Sequence, residues 1–150
     1  MSEKYFSRNE ANDLLPLIGV SLVEARRKKQ LLDKLRGEIV EAASRIMALG
    51  GSVPPLEELT RKKASSETLT EELTQAVNEI QQTGCVVKDL DVGLVDFPSL
   101  RRGEEIYLCW KLGEERVAYW HGVDEGFAGR KPLDDPERKE SPPRLPPTVQ

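Results

Sequence analysis

At Gly84 the apolar residues of this chain change their spacing, and that change limits the fold more than any other feature. Before it, Leu15, Ile18, Leu22, Ala25, Leu32, Ile39, Ala43 and Ile46 follow helical steps, interrupted by Lys29 and Arg36, so they form one face of a long helix. After it, Ile106, Leu108 and Trp110 alternate with Tyr107, Cys109 and Lys111, the period of a strand with two unlike faces. A single switch of period predicts an α+β fold, helices first and sheet second.

The helical part has legible ends. Ser7-Arg8-Asn9-Glu10 matches a capping box, with Phe6 placed as a staple before it, and the pattern continues to about Leu49. Pro16 predicts a kink or a second start. The breakers Gly50-Gly51-Ser52-Val53-Pro54-Pro55 end this helix, and a second runs from about Leu56 to Thr83, with Leu69, Leu73, Ala76, Val77 and Ile80 as its stripe. Gly84 then suits the left-handed residue that closes a helix. So short a connection predicts a long antiparallel helical hairpin of coiled-coil type over 7–83. Leu31, Leu35, Ala42 and Leu49 widen the first stripe beyond one seam. The aromatic C-terminal zone or a second copy of the chain must cover the excess, and the latter gives a homodimer.

Residues 84–130 hold six of the eight aromatics and predict a small antiparallel β-sheet of three or four strands. Strands are expected at Cys85–Lys88, at Leu94–Phe97 (ended by Pro98), at Glu105–Leu112 and at Arg116–His121. A two-residue loop at Gly113-Glu114 sets His121 opposite Ile106. A three-residue loop sets it opposite Tyr107, on the face of Cys109. Residues 1–130 thus read as a single α+β domain, and 131–150, with six of the ten prolines and balanced charge, as a disordered tail.

Several function classes are disfavoured. The net charge of −4 lacks the basic field of a typical nucleic-acid binder, and the basic runs Arg26-Arg27-Lys28-Lys29 and Arg61-Lys62-Lys63 have acids beside them. No apolar run approaches the ~20 residues of a membrane span. Met1-Ser2-Glu3-Lys4 does not lead into a secretory signal, and two cysteines form neither a disulfide framework nor a CxxC pair, so a reducing cytoplasm is expected.

Val87-Lys88-Asp89-Leu90-Asp91, Gly93 to Pro98, Tyr107-Leu108-Cys109-Trp110, Leu112-Gly113-Glu114, Trp120-His121 and Gly126-Phe127 to Gly129-Arg130 together resemble an uncharacterised prokaryotic family, domain of unknown function 2203. Tyr5-Phe6-Ser7, Glu10-Ala11-Asn12 and Leu14-Leu15-Pro16 are similar to its N-terminus, and the resemblance covers about residues 4 to 132. It implies no reaction, ligand or cofactor.

The site candidates therefore rest on their own chemistry. Asp96 lies between Val95 and Phe97 in a strand, so it is expected to be buried and to need a partner, either Arg130 or His121. Asp96 and His121 are the acid/base candidates. With Cys109 they make a metal set, against the plainer reading of a satisfied histidine at a strand end and a small buried thiol. Asp89 and Asp91 before Gly93, and Asp124 before Gly126, fit Asx-type turns or a ligand site; Trp110 and Trp120 fit core or a stacking platform; Arg130 fits an anion. The leading expectation is a non-enzymatic interaction module that dimerises through its hairpin. The alternative is a metal-assisted or acid/base hydrolase built on Asp96, His121 and Arg130.

Overall fold

The computed structural model describes residues 4–50 and 53–133. Helix α1 spans Arg8–Leu49 and α2 spans Val53–Gln81. The capping box forms: Ser7 Oγ accepts from the Glu10 amide at 3.0 Å, and Glu10 Oε1 accepts from the Ser7 amide at 2.9 Å. The helix continues through Pro16, which takes neither a second start nor a break, and Gly50 closes it with φ 74°.

Three ion pairs tie the helices together: Lys28 to Glu72 at 3.7 Å, Glu38 to Lys62 at 2.9 Å and Arg45 to Glu58 at 3.2 Å. As one number rises the other falls, so the helices are antiparallel.

The sheet is an antiparallel meander of five strands, β1 Val86–Asp89, β2 Leu94–Arg101, β3 Glu104–Lys111, β4 Tyr119–Gly122 and β5 Lys131–Pro132, hydrogen-bonded in chain order. The fifth strand exceeds the expected count and carries the sheet past Arg130. It is held by Leu133, whose amide donates to the Ala118 carbonyl at 2.8 Å. The expected tail from Asp134 onward lies outside the described residues.

Pro98 does not end β2. Its carbonyl accepts from the Phe6 amide at 2.7 Å, so its backbone polar side faces the N-terminal segment rather than β3, and the missing N–H costs no ladder bond. The tight hairpin lies between β2 and β3, where Arg102 (φ 54°) and Gly103 (φ 83°) turn the chain in two residues.

The β3–β4 connection is longer than expected because residues 116–118 leave the ladder for α1. The Val117 amide donates to Asn12 Oδ1 at 2.7 Å, and Arg8 Nε donates to the Val117 carbonyl at 3.0 Å. Val117 is fully buried, so Asn12→Ala removes the side-chain acceptor of its amide. We expect it to cost about 1–3 kcal/mol in denaturant unfolding, with Asn12→Asp losing far less. A loss within the ~0.5 kcal/mol of an ordinary surface change would remove this anchor from the account of the loop.

The core lies where α1 crosses the sheet. Leu15, Ile18, Leu22 and Ala25 of α1 pack on Val95, Phe97, Ile106, Leu108 and Trp110, with Phe6, Ile80 and Val117 at the margins. The sheet thus covers the N-terminal half of the α1 stripe. Beyond it the hairpin buries, among the described residues, only Leu32, Ala42 and Leu59.

Candidate functional site

The register decides which residues meet on the other face of the sheet. Asp96 stands opposite Cys109, Cys109 opposite Tyr119, and Tyr107 opposite His121. This is the register that puts His121 with Cys109. Alternation then turns Asp96, Cys109 and His121 to one side while their neighbours Val95, Leu108 and Trp120 face the other.

All three are sealed, at 1%, 0% and 2% exposure respectively. His121 Nε2 is 3.1 Å from each carboxylate oxygen of Asp96, and its Nδ1 lies 2.8 Å from the Gly122 carbonyl oxygen. A carbonyl only accepts, so Nδ1 carries a proton. The best ligating atoms of Asp96, Cys109 and His121 all lie within 4.8 Å of one another.

Burial and then the nearby Asp96 carboxylate push the Cys109 thiol up to about 12, against an opposing pull from the Arg130 guanidinium. Burial raises Cys85 as well. Neither sulfur is ionised near neutral pH, so neither has the character of a ready nucleophile.

Arg130 closes this end of the sheet without touching Asp96 in an ion pair. One terminal nitrogen lies 2.8 Å from both carboxylate oxygens of Glu114, and the guanidinium lies 3.9 Å above the ring centre of Tyr119 and 4.6 Å from that of Phe127. Its Nε is buried with no hydrogen-bond partner among the described residues. Glu114 also accepts from the Lys111 amide at 2.9 Å, and its carbonyl accepts from Trp110 Nε1 at 3.1 Å. Sequence reasoning missed Glu114 as the arginine's partner, although it sits in the Leu112-Gly113-Glu114 stretch already singled out. Nothing local in that turn announces a contact 16 residues away.

The remaining candidates scatter. Asp89 makes the expected turn bond, accepting from the Val92 amide at 3.3 Å. Asp91 instead pairs with Lys29 of α1 at 3.1 Å, pinning the β1–β2 turn to the hairpin. Asp124 is exposed, and beside it Glu125 accepts from the Gly122 amide and from Lys131, both at 2.7 Å. Lys131 and the Gly122 amide together hold the Glu125 carboxyl below its usual range. Trp110 is in the core, whereas Trp120 is half-buried between Arg101 and Lys131, each 4.6 Å from its ring centre. Asp96, Cys109 and His121 therefore converge with Arg130 beside them, and Asp89, Asp91, Asp124 and Trp110 lie elsewhere.

A family model described as an uncharacterized conserved protein (DUF2203) matches residues 4–133, nearly all of the described chain. No curated protein and no solved structure matches it. Among the described residues no helix is long and apolar enough to cross a membrane.

Proposed function

The chain belongs to DUF2203, a family of uncharacterized conserved proteins, and since that membership assigns no chemistry we propose from the geometry that it acts as a non-enzymatic interaction module, dimerising through α1. The observation that carries this reading is a second stripe on α1, exposed on the side of the helix opposite its buried residues. Leu17, Val20 and Leu31 are 58%, 71% and 44% exposed, and they share helical three- and four-residue spacing with Glu24, Arg27 and Lys34.

The stripe is self-complementary. Two antiparallel copies of α1, related by a two-fold axis beside Ala25 and Arg26, set Val20 against Leu31, Glu24 against Arg27, and Leu17 against the stem of Lys34. Glu24 and Arg27 already pair within the helix, so the axis gathers a neutral group of four charges flanked by aliphatic contacts. An open groove of about 860 Å³ beside it, lined by Pro16, Val20, Val23 and Leu112, adds apolar surface to the same side. The sealed Asp96–His121 pair and the committed Arg130 favour this reading over a hydrolase, whose acid, base and anion-binding group must reach a substrate.

Light scattering or sedimentation should give about twice the 16.8 kDa chain mass. Val20→Glu sets an acid against the partner's Leu31 and should yield a monomer with unchanged circular dichroism, because Val20 contributes little to the fold of one chain. A monomeric wild type at micromolar concentration, or a dimer indifferent to Val20→Glu, would overturn the reading.

A further inference from the structure

The contact between Asp96 and His121 requires a positive charge between its facing atoms. With Nδ1 protonated toward Gly122, a neutral His121 turns the bare lone pair of Nε2 toward the two Asp96 oxygens, both 3.1 Å away. Facing acceptors at that distance need a cation between them. A proton can serve, making an imidazolium, and so can a metal ion.

We propose that Asp96, Cys109 and His121 form a divalent-metal site whose oxygen, sulfur and nitrogen donors suit zinc. Four observations support it. The three ligating atoms lie within 4.8 Å of one another, and a tetrahedral ion with bonds of 2.0–2.3 Å needs separations of about 3.3–3.8 Å, so modest side-chain adjustment suffices. They come from three adjacent strands paired in fixed register, which makes their placement a property of the sheet rather than of a mobile loop. The Gly122 carbonyl on Nδ1 is the outer contact that orients a metal-bound histidine and frees the opposite nitrogen. Lastly, one thiolate and one imidazole select against magnesium and calcium, which take oxygen ligands.

The exchange balances. Without metal the cluster holds a carboxylate, an imidazolium and a thiol, with net charge zero. On binding, the proton between Asp96 and His121 and the proton of the Cys109 thiol leave to solvent, and a dication with a carboxylate, a neutral imidazole and a thiolate is again net zero. The neighbouring Arg130 therefore meets no added net charge. Three protein ligands leave a fourth position for water or a small ligand. Because the ligands are sealed, the ion enters during folding or through transient local unfolding.

The test is cobalt titration of the purified, chelator-stripped full chain. One equivalent of Co²⁺ should produce a thiolate-to-cobalt charge-transfer band in the near ultraviolet that Zn²⁺ abolishes by displacement, whereas Zn²⁺ added to the metal-free chain should release two protons per ion and raise the melting temperature. Cys85→Ser should keep the band and Cys109→Ser should lose it. Absence of the band in the wild type, or its loss in Cys85→Ser, overturns the site whether or not Cys109→Ser folds. Chain mass plays no part in these readouts, so the result stands apart from the dimer.

Discussion

Replacing His121 with leucine in the metal-stripped chain is expected to lower stability by about 3–5 kcal/mol, the scale for leaving one member of a buried ion pair behind. Asp96 is 1% exposed and its carboxylate pairs with His121, while the adjacent Arg130 is already committed to Glu114. The leucine fills much of the imidazole volume, so most of the loss reports charge rather than a cavity. Against a domain's typical 5–15 kcal/mol it is a large fraction of the whole.

Two companion variants separate this from simple packing. Asp96→Asn keeps the shape and supplies an amide N–H that can donate to the bare Nε2 of a neutral His121, so its cost should stay near the ~0.5–1.5 kcal/mol of an ordinary hydrogen bond. Asp96→Val with His121→Leu removes both polar groups and should be more stable than His121→Leu alone. Guanidinium unfolding of the wild type and the three variants compares these losses. If His121→Leu costs no more than Asp96→Asn, the pair is not the buried charge pair described above.

The fate of Asp96 shows how far the sequence could be read. Alternation and its apolar neighbours predicted burial, and burial required a partner, but the choice between His121 and Arg130 turned on one residue of register. That register depends on residues 116–118 peeling away to meet Asn12 and Arg8, more than a hundred positions earlier. No local pattern carries such information. The same holds for Glu114 and Arg130, for β5, and for the passage of β2 through Pro98, whose carbonyl is taken by the distant Phe6 amide. The helices were legible because their determinants, caps and periodic stripes, act over a few residues. The sheet's outer face was not, because each of its pairings is closed by a distant segment.

Phe6→Ala tests that division between local and distant roles, and we expect it to cost about 3–5 kcal/mol. On local grounds Phe6 is a staple before the Ser7 cap, a role whose loss belongs with capping changes of about 1 kcal/mol. In the fold it is a junction of three elements. Its ring is 2% exposed and meets Phe97 of β2 edge-on, with centroids 5.2 Å apart. It also lies so close to the backbone after α2 that a Cβ on Gly84 would come within 3.0 Å of it. Its amide donates to the Pro98 carbonyl at 2.7 Å, and its carbonyl accepts from Ser99 Oγ at 2.6 Å. Alanine retains those backbone bonds, so the walls stay anchored around the space the ring leaves, and little collapse is available to recover the loss. Asp96 points to the opposite face of the sheet, so metal binding by folded Phe6→Ala should be unchanged. Denaturant unfolding decides between the roles: a loss near 1 kcal/mol would return Phe6 to the staple, and one several times larger fixes it as the residue that joins both helices to the sheet.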